Sequence, residues 1–243
     1  MKMHLLVLTT ITLIFSGCLY DGGETIVLPI NDINPELEIV SSEAIPSEIR
    51  SQFTNYMTIH EGSNPPIITG YYLFSPATTV YCSDWGYGGY DVGKVVADLY
   101  IYFGEQNKWQ IDEYKEKQSG NIGTAKDVVI VGSGKDFTAY YIVEEYLDYD
   151  NDGSNESYTK TSVLFSGTLT QDGIEDAQYA FILLEAIDPL DKIMKENEFR
   201  IFKDGDGLAS TCSSWGYYAP KRVPQENELE INTLTKDAKR DYE

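Results

Sequence analysis

Val95-Val96-Ala97-Asp98-Leu99-Tyr100-Ile101-Tyr102-Phe103 is an alternating stretch. Ala97, Leu99, Ile101 and Phe103 share one face, and Val96, Asp98, Tyr100 and Tyr102 share the other. Successive side chains of a strand point to opposite faces, so this period of two predicts a strand with one side against a core. Residues 104–108 then supply a turn, and 109–117 a second strand. Further on, 128–131 and 137–143 flank Gly132-Ser133-Gly134-Lys135, a hairpin signal. Residues 158–169 and 179–187 surround a turn at Gln171-Asp172-Gly173, and 199–202 runs into Asp204-Gly205-Asp206-Gly207. Upstream, 67–74 is apolar and ends at Pro76, while Pro65-Pro66 stops whatever precedes it. Ahead of that pair, Ile49, Phe53, Tyr56 and Met57 recur at helical spacing behind Pro46, which suits the first turn of a helix. One further helical turn is expected around 190–195. Eight or nine strands at short spacing, with no long helices between them, predict an all-β fold. The expected form is an antiparallel eight- to nine-stranded barrel with a short N-terminal helix; a β-sandwich is the alternative.

The chain begins with a short basic start, Met1-Lys2-Met3-His4, followed by an apolar run from Leu5 to Phe15. That is the build of a secretory signal peptide, and it is too short to cross a bilayer. It ends Phe15-Ser16-Gly17-Cys18, which resembles the lipobox of bacterial lipoproteins with Phe15 where leucine is usual. The resemblance implies cleavage before Cys18 and acylation of Cys18, and each buried methylene of an acyl chain contributes about 0.8 kcal/mol to membrane binding. An ordinary secreted protein with a chance cysteine at the cleavage site is the alternative. No aspartate follows Cys18, so outer membrane is the expected destination within the cell envelope. The expected organisation is a signal peptide over 1–17, a lipid-anchored tether over 18–44, one barrel domain over 45–219 and a polar tail over 220–243.

The chain carries 39 acidic against 18 basic residues and a net charge of −21. A body this acidic repels nucleic acid and anionic lipid heads, so its contact with the membrane is expected through the N-terminal lipid alone. With Cys18 acylated, Cys82 and Cys212 remain as an even pair in an oxidising compartment. Their settings match: Cys82-Ser83-Asp84-Trp85-Gly86-Tyr87 and Cys212-Ser213-Ser214-Trp215-Gly216-Tyr217. A disulfide between Cys82 and Cys212 is the expectation, with two buried thiols as the alternative. If the two cysteine turns meet, Trp85, Tyr87, Trp215 and Tyr217 form an aromatic surface suited to carbohydrate; otherwise they are packing.

The order of helix, Pro-Pro, Gly70-Tyr71-Tyr72 and serial antiparallel strands resembles the lipocalin-like (calycin-type) domains of bacterial lipoproteins. In that superfamily a short helix precedes a first strand bearing Gly-x-Trp, so Tyr72 stands at the tryptophan position. The resemblance implies a cup-shaped eight-stranded barrel and a tendency to bind ligands, and it carries over no ligand residue.

Asp148-Tyr149-Asp150-Asn151-Asp152-Gly153-Ser154-Asn155-Glu156 matches the beginning of a calcium loop. Asp148, Asp150, Asp152, Ser154 and Glu156 are the candidate ligands, but Thr159 stands where the loop's last glutamate belongs and no helices flank it. A structural calcium is therefore one expectation and a solvated acidic turn the other. No cofactor beyond it is expected. Catalysis finds little support: His60 is the only histidine left after removal of the signal peptide, and no nucleophile motif appears. The leading expectation is a non-catalytic envelope lipoprotein holding a small apolar ligand among inward residues such as Leu99, Ile101, Phe137 and Tyr141. The same residues would equally make a filled core. A surface carbohydrate-binding or adhesion module and a structural envelope protein without a small ligand are the alternatives.

Overall fold

The structure, a computed structural model, describes residues 25–28, 44–83, 91–118, 121–147, 157–189 and 194–214. Its elements run β1 (Thr25–Leu28), α1 (Ser47–Phe53), β2 (Ser63–Asn64), β3 (Gly70–Phe74), β4 (Ala77–Cys82), β5 (Leu99–Phe103), β6 (Gln106–Asn107) and β7 (Gln110–Gln118). They continue with β8 (Asn121–Ser133), β9 (Asp136–Leu147), β10 (Ser157–Leu169), β11 (Gly173–Ile187), β12 (Phe199–Asp204) and β13 (Leu208–Cys212).

Two pairs of these strands act as single bent staves. β4 pairs with β12 (Arg200 opposite Cys82, Asp204 opposite Ala77), and β3 pairs with β13 (Ser210 opposite Leu73, Cys212 opposite Tyr71). The stretch 70–82 therefore lies antiparallel to 200–212 throughout, with a corner at the cis Ser75–Pro76 bond. From β3 the ladder passes through β5, β7, β8, β9, β10 and β11, each antiparallel to the last. β11 then pairs with both β12 and β13, and these return to β4 and β3. Eight staves close on themselves, each next to its neighbour in sequence. The expected all-β antiparallel barrel is what the chain forms, and the sandwich alternative falls. Closure pairs every stave on both sides over at least part of its length, which reduces the usual hazard of unpaired strand hydrogen bonds.

The alternation holds over 99–103, where the strand forms, whereas Val96, expected on the opposite face, packs against the interior cluster. Leu99, Ile101 and Phe103 are buried inside the barrel with Tyr72, Phe74, Phe137, Phe165, Phe181 and Phe202. Phe165 lies 5.7 Å from Phe103 and 6.0 Å from Phe74, ring centre to ring centre, so the lower half of the interior is a packed aromatic core. Tyr72 faces this core and donates its hydroxyl to the Thr69 carbonyl. Two glycines permit close crossings: a Cβ on Gly132 would run into the Asp136 carbonyl and one on Gly173 into the Ala209 carbonyl.

The expected helix forms behind Pro46 and buries Ile49 and Phe53. It packs on the outer wall, where Met57, Val129, Tyr140, Leu164, Ile182, Phe199 and Ile201 complete a second apolar cluster. Tyr56 stacks on Tyr81 at 4.3 Å, half exposed at the rim of that cluster. The segment after the helix is tied to the same wall: the Thr58 N–H donates to Gln178 Oε1, Gln178 Nε2 to the Tyr56 carbonyl, and the His60 N–H to Thr138 Oγ1. β1 lies within the stretch expected as tether. It pairs with β9 over Ile142 to Glu145, beyond the point where β8 has parted from that strand, and so satisfies backbone groups that β8 leaves open. Among the described residues no helix is long and apolar enough to cross a membrane.

The disulfide expectation is overturned. No disulfide joins Cys82 and Cys212; both are thiols, the first buried and the second half-buried. The register gives the reason. Cys82 ends the stave 70–82 opposite Arg200, whereas Cys212 sits opposite Tyr71 near the other end of the same stave. At about 3.3 Å per residue these positions are on the order of 30 Å apart along the strands, and a disulfide needs Cα atoms within roughly 7 Å. The matched sextets follow strands that leave opposite ends of the barrel.

Candidate functional site

The interior changes character along the barrel axis. At the end where β4, β7, β9 and β11 finish, the inward positions become polar. β9 continues its inward series Phe137, Ala139, Tyr141, Val143 with Glu145. Opposite it, β10 continues Phe165, Val163 with Thr161, Thr159 and Ser157, which face Val143, Glu145 and Leu147 in register. On β7, Tyr114 is followed at the same phase by Glu116, which pairs with the inward Ile101 of β5 and with Gly123 of β8. On β12, Arg200 precedes the inward Phe202 and lies with its guanidinium carbon 5.6 Å from the centre of the Phe181 ring.

Glu116 and Glu145 are both almost completely shielded from solvent. Tyr114 Oη donates to Glu116 Oε2 at 2.8 Å, and Tyr179 Oη to Glu116 Oε1 at 3.4 Å. Burial disfavours the charged carboxylate and pushes Glu116 up to about 7, against the opposing pull of the two phenol hydrogen bonds. Burial also pushes Glu145 up to about 8, and the neighbouring Glu116 charge adds to the rise. The Tyr114, Tyr141 and Tyr179 hydroxyls are all driven well above the ordinary phenol range, first by burial and then by the Glu116 carboxylate. Tyr141 Oη, Thr161 Oγ1 and Ser157 Oγ are buried and have no hydrogen-bond partner among the described residues. Buried polar groups are nearly always bonded, so three inward hydroxyls without partners beside two buried acids call for an explanation.

The other end of the barrel carries a shallower feature outside the core. A groove of about 450 Å³ is lined by Thr58, His60, Thr168, Gln178, Lys203 and the Asp204–Gly207 turn, among others. Asp204 accepts the Ser75 N–H at 2.8 Å and the Asp206 N–H at 3.2 Å, so it ties the β3–β4 corner to the turn that follows β12. Burial, then the Asp206 side chain, push the Asp204 carboxyl up to about 7. This is the Asp-Gly-Asp-Gly stretch expected as a turn, and it is one. Among the described residues no group of three or more potential metal ligands converges.

Of the residues expected to line a ligand cup, Leu99, Ile101 and Phe137 face inward and are consumed by packing, while Tyr141 reaches the polar end. Cys18, Trp85, Tyr87, Trp215, Tyr217 and the acidic loop of Asp148, Asp150, Asp152, Ser154 and Glu156 lie outside the described residues, as does most of the helical turn expected near 190–195. Reading the sequence by motif missed Glu116 and Glu145. The signal was nevertheless present: each acid stands two residues after an inward apolar or aromatic position, at Tyr114 and Val143, on a strand of clear period two. Compared with family models, with curated proteins and with solved structures, the chain matches none.

Proposed function

We propose that this protein is a non-catalytic, lipid-anchored envelope lipoprotein of the lipocalin-like kind that holds a small ligand in the polar end of its barrel. The observation that carries the reading is the set of unpartnered inward hydroxyls of Tyr141, Thr161 and Ser157 beside Glu116 and Glu145. A barrel interior with only a packing role gains nothing from them, because each desolvated hydroxyl without a partner costs about 1–3 kcal/mol. A bound molecule that hydrogen-bonds them recovers that cost. The same observation moves the expected ligand away from the purely apolar class: the apolar half of the interior is filled by its own aromatic rings.

The aromatic carbohydrate surface is the weaker reading, since the strands that lead to its two halves leave opposite ends of the barrel. Attachment rests on Ser16-Gly17-Cys18 and on the apolar run before it, with outer membrane as the destination. Two measurements test the proposal. Mass analysis of the mature N-terminal peptide is expected to find a chain beginning at acylated Cys18; a chain retaining residues 1–17 overturns the anchor. Native mass spectrometry of protein purified from envelopes, before and after organic extraction, is expected to release a co-purifying small molecule. A clean unliganded mass, together with no stabilisation by any small molecule, supports the structural alternative instead.

A further inference from the structure

The two buried glutamates face the same region of the barrel. Glu145 is pushed up in part by the Glu116 charge, which places the carboxyls within electrostatic reach of each other. On the β8 side of Glu116 the strand places small residues in register, Gly123 opposite Glu116 and Ala125 opposite Tyr114, while β1 pairs beside Glu145. Three phenol rings stand around the acids: Tyr114 and Tyr141 lie 5.2 Å apart, and Tyr179 reaches Glu116 from β11. The Tyr141 hydroxyl feels both glutamate charges and has no partner among the described residues. Among the described residues, the titratable groups facing the acids are Tyr114 from β7, Tyr141 from β9 and Tyr179 from β11, whereas β10 contributes the non-titrating Thr159 and Thr161. Arg200, on β12, stands at the same end of the barrel with its guanidinium carbon 5.6 Å from the centre of the Phe181 ring.

Resting on the reading that the barrel takes a ligand, we infer that Glu116, Glu145 and the unpartnered Tyr141 hydroxyl receive the head of an organic ammonium ion. The charge logic is direct. In a low-dielectric interior two facing carboxyls repel an anion, stay protonated beside a neutral molecule, and ionise when a cation arrives between them. Tyrosine rings add attraction for a cation through their electron-rich faces, and ammonium N–H groups supply donors for carboxylate and phenol oxygens. Binding therefore releases protons near neutral pH.

The test uses the full chain and three probes of one shape: 2-phenylethylammonium, 2-phenylethanol and phenylacetate. Calorimetry at pH 7 is expected to show the ammonium binding at least about tenfold more tightly than either isostere, with proton release that varies with the ionisation heat of the buffer. The double variant Glu116→Gln/Glu145→Gln is expected to lose that preference. Tyr141→Phe, which removes one oxygen from a residue otherwise held by packing, is expected to weaken ammonium binding about threefold to tenfold while keeping the barrel's unfolding transition. Equal binding of the three probes, binding of none, or full affinity in the double variant overturns the inference. If 2-phenylethanol binds as tightly as the ammonium, or if a neutral or anionic molecule co-purifies with the protein, the ligand cup stands and only the cationic class falls. If no probe binds and nothing co-purifies, both fall.

Discussion

Glu116 shows how one side chain can set the pH behaviour of a barrel. Its folded-state carboxyl titrates at about 7, whereas an exposed glutamate titrates near 4.3. The folded chain therefore holds a proton that the unfolded chain releases. The stability that Glu116 contributes is therefore fully present below about pH 4.5 and falls as pH rises toward 7, because the unfolded state binds fewer protons at this group only within that window. The difference amounts to roughly 3–4 kcal/mol for Glu116 at 1.36 kcal/mol per unit, and Glu145, titrating at about 8, adds a loss of the same sign that extends a unit higher. Glu116→Gln keeps one oxygen to accept the Tyr114 hydroxyl, turns an amide N–H toward the more distant Tyr179 oxygen, and removes the charge. It is expected to raise the melting temperature at pH 8.5 by several degrees and to change it little at pH 4.5. Thermal unfolding at the two pH values checks this, and an equal shift at both would mean that Glu116 is not held protonated by burial.

Helix α1 is only seven residues long, too short to be stable alone in water. It owes its existence to the outer wall of the barrel. Phe53 is fully buried and meets Phe199 at 5.2 Å, ring centre to ring centre. Phe53→Ala is expected to cost about 3–5 kcal/mol through lost burial and the cavity left behind. Ile67→Ala, at a residue 57% exposed, is expected to cost under about 0.5 kcal/mol. Urea unfolding of both variants checks the pair, and a small loss for Phe53→Ala would show that the helix is dispensable to the barrel. The bent stave 70–82 works differently. Pro76 reads in sequence as the end of a strand, yet the chain turns a corner there and continues as β4. What holds that corner is Asp204, 129 residues away, accepting the Ser75 N–H.

At the scale of the whole molecule, stability rests on barrel closure. The last stave, 199–212, completes the cylinder by pairing with the first, 70–82, and no covalent cross-link between Cys82 and Cys212 reinforces it. Reductant is accordingly expected to leave the melting temperature of the barrel unchanged; a drop of several degrees in dithiothreitol would restore the disulfide and require a different register. Pairing of the first and last staves also brings together residues more than a hundred positions apart, a non-local contact whose loop-closure entropy slows folding.

The strand phases, the serial hairpins and the helix behind Pro46 were legible in the sequence, because period and turn chemistry are local properties of the chain. So was the choice of an all-β fold, since meandering strands without long helices have few other ways to bury one face. The sequence could not decide which inward positions would be filled and which left polar. Leu99 and Phe137 look as suited to a ligand as Tyr141 does, and only the packing of rings from several staves uses up the first two. Nor could it separate Glu116 and Glu145 from the many other acids of a chain with 39 of them: Tyr114-Lys115-Glu116-Lys117 resembles a solvated strand until the barrel turns alternate residues inward. The cysteine sextets misled for the same reason. Likeness of sequence carries no distance, and the distance between Cys82 and Cys212 is set by the antiparallel register of two staves far apart in the chain.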